Sequence, residues 1–420
     1  MRDLPGWAAR LRAERRERLW TQRDMARQLA EAADARTRDR LPERESLIRM
    51  IKDWEAGRHQ PKDPYRVLYS RAFDIEETEL FSEPQTLAGR APAEILNALL
   101  RQPDPLSPTT GSKRRRLGES TVEDLTARVH SVRLADDVIA GKDLIRPAFR
   151  ELDAAVRAYR QSTYTETVGR ALLTVIGEFA QIAGWVASDA GEHQKAAHTY
   201  RLGIRAAHEA GDRTLESNLI GSLAYQVANV GDPQEATELA RTAVEVAGPS
   251  APARARALAW DRLAWADTRA GQAQEAMRAL GKAETSLADH GDEEEPGYLY
   301  WVDANELKIM EARAYTELRR PLRAVPLLTE VLSQYDATHT REFALYLSWL
   351  AVALADANEP EEAARTAARL LDLSADVASD RTARRVAVAL ERLKPYRDVP
   401  QVRELLASAR HVDISAPEGE

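Results

Sequence analysis

The sequence contains no cysteine, which excludes disulfides, thiolate metal sites and cysteine nucleophiles together. Aromatic residues make up only 6% of the chain, and with alanine abundant this composition favours helices over strands. No apolar run is long enough to span a bilayer, and the first 20 residues lack the apolar segment of a secretory signal. We therefore expect a cytoplasmic, helical protein with no membrane partner.

Motifs for catalysis and cofactor binding are also missing. We find no Walker loop, no dinucleotide glycine fingerprint, no His-Glu-x-x-His and no serine elbow. The nearest histidine pair, His193 and His198, is five residues apart, and this spacing does not place both rings on one helix face. We expect no enzymatic activity, no cofactor and no metal.

The charge is unevenly distributed along the chain. The net charge is −8, yet residues 1–72 carry 18 Lys and Arg against 12 Asp and Glu, whereas the remainder carries 41 against 55. A basic head can attract phosphate while an acidic body repels it. The alternative is that both parts simply have solvated charged faces.

Residues 1–82 are predicted to form a domain of five short helices. Thr21 and Asp24 begin the second helix as a Thr-x-x-Asp capping box. Leu47, Ile51 and Trp54 recur at helical spacing and should be buried on the third helix, with Gly57 in the left-handed conformation after its end. Asp63-Pro64 is predicted to begin the fourth helix as an N-cap followed by proline. A polar insertion, residues 31–44, lies between the second and third helices, either as an extension of helix two or as a basic loop.

The segments Thr21–Ala26 and Ile51–Arg58 with Pro61 resemble the Xre/Cro helix-turn-helix family. The resemblance implies that helix three enters the major groove of double-stranded DNA, usually as a homodimer, and that Glu55 pairs with an arginine of helix one. The spacing between the two halves is roughly fifteen residues longer than in the family. The DNA-binding residues that the resemblance and the insertion imply are Gln22, Arg23, Arg44, Ser46, Arg49, Lys52, Arg58 and His59. If the insertion forms a basic loop, Arg36, Arg38 and Arg40 are expected to contact phosphates as well. The alternative is a small helical bundle with ordinary caps.

Residues 83–118 are rich in proline and are predicted to be a linker, with a weak helix over 93–100 and a basic run over 113–116. The basic run is either an arm that contacts phosphate or a solvated boundary segment. A tail is predicted over 401–420.

Residues 119–400 read as successive helices with an internal repeat. Aligning the chain on Ala196, Ala236, Ala276, Ala324 and Ala363 gives spacings of 40, 40, 48 and 39 residues. Small residues recur twelve positions before each of these alanines, and Gly, Arg or Asn recurs five positions before. Small residues at fixed offsets let antiparallel helices approach closely. This pattern resembles tetratricopeptide repeats with extended helices, and the resemblance implies an α-solenoid with a concave face.

An aromatic stripe eleven positions before the repeat alanines is the candidate ligand site. The stripe and its polar neighbours give a set suited to a peptide or small-molecule effector. That set is Glu178, Gln181, Trp185, Asn218, Tyr225, Asn229, Asp261 and Trp265. Trp260, Tyr298, Tyr300 and Trp301 add aromatic surface. The alternative is that these rings are buried in the core of the repeats.

These features together predict an all-α transcription regulator with a DNA-binding head and a repeat domain for dimerisation and sensing. The architecture resembles peptide-pheromone receptors that combine such a head with such repeats. Two alternatives remain: a protein-interaction adaptor whose head has a role outside DNA binding, and a repeat-domain enzyme whose site has no recognisable motif.

Overall fold

The computed structural model describes residues 6–18, 20–38, 40–73, 75, 77–81, 91–100, 106, 115–138, 141–289, 294–334, 340–374 and 380–409, and most of these residues lie in helices. The described strands, β1 (Arg115–Arg116) and β2 (Ser162–Thr163), form one short parallel pair. The prediction of an all-α fold is confirmed. The chain divides into two units, Met1–Thr86 and Leu87–Glu420.

The first unit contains six described helices where the sequence predicted five. They are α1 (Gly6–Glu17), α2 (Gln22–Ala32), α3 (Ala35–Arg38), α4 (Arg44–Glu55), α5 (Tyr65–Phe73) and α6 (Glu77–Phe81). The additional helix, α3, lies in the insertion, which also extends α2 to Ala32. The predicted N-cap at Asp63 is wrong, because the helix begins at Tyr65 after a cis Asp63–Pro64 peptide bond.

The core of the first unit follows the predicted periodicity. The side chains of Leu47, Ile51 and Trp54 are buried, so α4 faces the core with one side. The Thr21–Asp24 capping box is present at the start of α2, and Gly57 has a φ of 65°. Helix α2 packs on α4 and α5, and α1 packs on α4 and α6. This packing leaves the other side of α4 exposed.

The second unit is a row of helices in which each helix from the eighth to the nineteenth of the chain packs on the next. Its described helices are α7 (Pro92–Leu100), α8 (Glu119–Val138), α9 (Gly141–Gln161), α10 (Glu166–Asp189), α11 (His193–Ala210), α12 (Arg213–Val230), α13 (Pro233–Ala247), α14 (Ala253–Arg269), α15 (Ala273–Ala288), α16 (Ala304–Glu317), α17 (Pro321–Gln334), α18 (Thr340–Asp356), α19 (Pro360–Ser374), α20 (Asp380–Leu393) and α21 (Pro400–Ala409). Turns of the 3₁₀ type lie at Gly297–Leu299 and Lys394–Tyr396. Helices α10, α12, α14, α16 and α18 also contact one another in sequence order, and α8 contacts α18.

The repeat alignment corresponds to real structural equivalence. The five aligned alanines are fully buried, and the residues twelve positions before them are also buried or are glycines in close contact. A Cβ on Gly184, for example, would lie 2.6 Å from a ring carbon of Tyr200. Four of the five turn positions have positive φ, at Gly191, Gly271, Arg319 and Asn358. The predicted repeat boundaries therefore coincide with turns between paired helices.

Three segments differ from the predictions for the connecting regions. The weak helix predicted over 93–100 of the linker is present as α7, but it packs on α11 and α13 and so belongs to the second unit. Two residues of the basic run, Arg115 and Arg116, pair with β2, whereas residues 113–114 lie outside the described residues. The predicted tail begins with α21, which packs on α19 because Val402 and Leu405 are buried.

One described helix, α10, is long and apolar enough to cross a membrane by length and composition. Its neighbours cover it, however, and 67% of its apolar window is buried inside the second unit. This burial is typical of the central helix of a helical core.

Candidate functional site

The exposed side of α4 is lined with cations and one hydroxyl. Arg44, Ser46, Arg49 and Lys52 are all exposed, and residues 46, 49 and 52 follow one side of the helix at intervals of three. Arg44, Arg49 and Lys52 form no hydrogen bond or ion pair with any described residue. The helix therefore presents three cations without ion-pair partners opposite its buried face, together with the exposed carboxyl group of Glu45 between Arg44 and Ser46.

A buried ion pair fixes α4 relative to α1 and α2. Arg15 Nε donates to Glu55 Oε1 at 2.6 Å, and Arg15 Nη2 donates to Glu55 Oε2 at 2.8 Å. Gln22 Nε2 donates to the same Oε2 at 3.1 Å. The predicted pairing of Glu55 with an arginine of the first helix is confirmed. Because the fork is bidentate, it restricts rotation as well as distance.

The remaining head residues of the candidate set divide into exposed and engaged groups. Arg23 is exposed at the start of α2 without a partner in the described part of the chain, whereas the amide of Gln22 is used within the protein. His59 is exposed after α4. Arg58 is exposed but donates to Asp53 Oδ1 at 2.6 Å. The structure thus brings Arg23, His59 and the α4 cations to exposed positions on the first unit.

The insertion residues have structural uses that the sequence did not reveal. Arg38 donates to the carbonyl oxygens of Ala30 and Ala33, at 3.0 and 3.1 Å, and so caps the C-terminal end of α2. Arg40 is exposed, and the side chain of Arg36 lies outside the described residues. Arg38 therefore uses Nε and Nη2 to cap α2, although its side chain is exposed, and its contact with phosphate stays a prediction.

The second unit contains a cavity of 370 Å³, which lies mainly among the helices that come first in each pair. Its walls come from α8, α10, α12, α14, α16, α17 and α18, and from the segment before α16. The lining includes Gln181, Trp185, Asn218 and Tyr225 from the predicted ligand set. A volume and a mixed polar and aromatic lining of this kind are typical of small-ligand sites.

Aromatic rings and arginines alternate along one wall of this cavity. The Trp185 and Tyr225 rings line the cavity and stack with centroids 5.9 Å apart, and Trp265 lies behind this wall, 6.2 Å from Tyr225. The guanidinium of Arg262 lies 4.5 Å from the centroid of Tyr225, and that of Arg313 lies 4.6 Å from the centroid of Trp265. The predicted aromatic stripe is therefore one continuous contact, with Tyr225 and Trp265 buried and Trp185 half-buried.

No family model and no curated protein matches this sequence.

The other four residues of the predicted ligand set do not line the cavity. Glu178 forms an ion pair with Arg133 at 3.1 Å, and Asn229 accepts a hydrogen bond from Trp265 Nε1 at 3.2 Å. Asp261 is buried beside Arg262. These residues support the wall from behind, because their polar groups already have partners within the protein.

The cavity also contains charged residues that the sequence analysis missed. Arg133 and Asp136 come from α8, Arg262 from α14, and Glu306 from α16. Arg313 lies eleven positions before Ala324, at the repeat position that holds an aromatic residue before Ala196, Ala236 and Ala276. The segment 298–301 supplies the predicted additional rings Tyr298, Tyr300 and Trp301, whereas Trp260 packs on the core instead. An arginine at a repeat position that holds an aromatic residue in other repeats was the feature of the sequence that could have indicated a cation in this cavity.

Burial controls the ionisation of Glu306 in this cavity. Desolvation raises the pKa of Glu306 to about 7, although the hydrogen bond from Tyr346 Oη to Glu306 Oε2, at 2.6 Å, lowers it in part. Nearby Glu342 raises this pKa further, whereas Arg313 lowers it. Near neutral pH the carboxyl therefore exchanges between its charged and neutral forms. Among the described residues, no group of three or more His, Asp or Glu is placed to hold a metal ion.

Proposed function

We propose that this protein is a DNA-binding transcription regulator in which α4 of the first unit reads the major groove. The observation that carries this proposal is the row Ser46, Arg49 and Lys52, exposed on a helix whose opposite side is locked by the Arg15–Glu55 pair. Free cations beside a hydroxyl can contact phosphates and base edges together. A rigid helix is needed because base recognition depends on fixed side-chain positions.

Arg23, Arg44, Arg58 and His59 would contribute backbone contacts around this helix. Arg58 would have to exchange Asp53 for phosphate, and both side chains are accessible enough for that exchange. Gln22 would act by holding Glu55 rather than by touching DNA. The first unit would in this reading be a helix-turn-helix domain of the Xre/Cro type, with the insertion folded away as α3.

The second unit would be a tetratricopeptide-like solenoid that dimerises and senses a peptide or small molecule. Its cavity offers a sensing site, and α8 contributes Arg133 and Asp136 to the lining. Helix α8 is the first long helix after the basic head in the chain, and it also contacts α18. A ligand in this cavity would alter DNA binding only if it bound the DNA-competent and incompetent arrangements of the chain with different affinities. We place this regulator in the cytoplasm and propose no catalytic step for it.

The proposal is tested by incubating the full chain with fragmented genomic DNA and sequencing the retained fragments. We expect enrichment of a two-fold symmetric sequence whose half-sites lie about one helical turn apart. Binding to that duplex should weaken steeply as salt rises, since phosphate contacts release counterions. Retention of no specific fragment, with a stable complex formed to another protein instead, would support an adaptor role and contradict the proposal.

A further inference from the structure

Arg313 is a buried cation that lacks a carboxylate partner. Its side chain is almost fully enclosed, with 6% of the residue exposed. Nη2 donates to Tyr225 Oη at 2.6 Å, but Nε meets no acceptor within the described part of the chain, and no described carboxylate lies within ion-pair distance. The other arginines of the cavity differ, since Arg133 pairs with Glu178 and Arg262 with Asp261. An unpaired buried charge is costly.

The carboxylates around Arg313 only partly compensate its charge. Asp261 and Glu306 lie close enough for Arg313 to lower their pKa values, but burial outweighs this effect and raises both. Glu306 is held by Tyr346, and Asp303 accepts a hydrogen bond from the backbone N–H of Glu306 at the start of α16. The local acids are therefore directed to other partners, and Arg313 retains donor capacity.

Three aromatic rings hold the guanidinium of Arg313 in place. Its Cζ lies 4.6 Å from the ring centroid of Trp265, 5.4 Å from that of Trp349 and 5.6 Å from that of Tyr225. Aromatic neighbours stabilise the cation without using its N–H groups. A planar guanidinium fixed in this way is suited to bidentate recognition of a planar oxyanion.

The rest of the cavity indicates the body of the ligand. Trp185 and Tyr225 stack on each other in one wall of the cavity and provide an aromatic surface for an apolar group. Gln181 and Asn218 are half-buried on the same side, and their amides form no hydrogen bond with described residues. These amides can accept or donate to a polar group of the ligand.

We infer that the cavity binds an organic carboxylate with an apolar body, and that Arg313 anchors the carboxylate. The inference rests on the proposed function only in treating this cavity as the sensing site. A small aromatic acid and the C-terminal residue of a peptide share this chemistry. Either would neutralise Arg313 and place an apolar group against Trp185 and Tyr225.

The test is isothermal titration calorimetry of the full chain with two matched probe pairs. The first pair is phenylacetate and phenylacetamide, and the second is N-acetyl-Ala-Phe with a free or an amidated C-terminus. We expect the acid of at least one pair to bind about tenfold or more tightly than its amide, since only the acid makes charge-assisted hydrogen bonds to the guanidinium. The pair showing this preference identifies the source. Equal binding of acid and amide in both pairs, or no acid binding, would overturn the inference.

Variants at Arg313 assign the effect to this side chain. Arg313→Met keeps the apolar stem, and Arg313→Lys keeps the charge but loses the planar fork. Both should weaken binding of the preferred acid by about tenfold or more, whereas Arg323→Met, outside the cavity, should not. Unchanged binding in folded Arg313→Met would overturn the inference. Should neither Arg313 variant fold, the comparison of acid and amide on the native chain decides.

A parallel measurement separates this inference from the proposed function. DNA affinity is measured with and without the preferred acid. Acid binding that leaves DNA affinity unchanged supports the carboxylate site and contradicts the sensing role. Absence of specific DNA binding contradicts the proposed function alone, because calorimetry does not depend on DNA.

Discussion

Replacing Glu55 with alanine should destabilise the first unit. Glu55 and Arg15 are both buried and share two short hydrogen bonds, at 2.6 and 2.8 Å, and Gln22 adds a third at 3.1 Å. Removing one partner of a buried pair costs about 3–5 kcal/mol, because the other charge is left without compensation. Glu55→Ala should therefore lower the free energy of opening of the first unit by about 4 kcal/mol.

Hydrogen exchange followed by mass spectrometry on the full chain measures this loss. Peptides covering α1 and α4 should lose protection by about a thousandfold, whereas peptides from α10 and α12 should not change. The matched control is Asp53→Ala, which breaks the exposed pair with Arg58 and should cost less than about 1 kcal/mol. The double variant Arg15→Met with Glu55→Met should recover most of the loss. If Glu55→Ala loses no more protection than Asp53→Ala, the ion pair does not fix α4 and our reasoning is wrong.

Two further predictions concern the second unit. Gly184→Ala would place a Cβ 2.6 Å from the buried ring of Tyr200 and should destabilise the chain by about 1–3 kcal/mol in urea unfolding. The control is Gly281→Ala, whose new Cβ meets open space and should stabilise the chain by up to about 1 kcal/mol. Equal effects of the two substitutions would contradict the close approach of the helices at Gly184. Burial raises the pKa of Glu306 to about 7, so the folded state binds this proton more tightly than the unfolded chain does, and stability contributed by the group falls as pH rises from about 4.5 to about 7. In hydrogen exchange at pH 8, the amides of α16 should therefore be more protected in Glu306→Gln than in the native chain, by about 1–3 kcal/mol, whereas the two chains should differ little near pH 4.5. An equal difference at both pH values would contradict the raised pKa of Glu306.

Local patterns predicted the head and the repeat boundaries well. The capping box at Thr21, the buried series Leu47, Ile51 and Trp54, and the left-handed Gly57 depend on neighbouring residues, and all three are present. The repeat turns were predictable for the same reason. Arg319 and Asn358 adopt the conformation of the aligned glycines because the offset between paired helices is repeated.

Features that depend on distant contacts were not predictable from these patterns. The polar insertion gave no helical periodicity long enough to indicate α3, and the capping role of Arg38 depends on the fold of the loop itself. Likewise, Arg133 and Tyr346 meet in one cavity only because α8 and α18 come together across some 200 residues of sequence. The aromatic stripe could be predicted from its spacing in the sequence. The positions of the arginines beside its rings depend on how the helices pack and could not be predicted in this way.

The central claim, that α4 contacts DNA, is tested most directly by the salt dependence of binding to a selected duplex. Arg49→Ala with Lys52→Ala should reduce affinity at moderate salt and make the slope of log K against log salt less steep by about 0.9 for each of the two side chains that contacts a phosphate, and so by up to about 1.8. The control is Arg241→Ala with Lys282→Ala, which removes the same charge from exposed positions of the second unit and should leave the slope unchanged. If both double variants bind the duplex with the affinity and slope of the native chain, α4 is not the DNA-contacting helix.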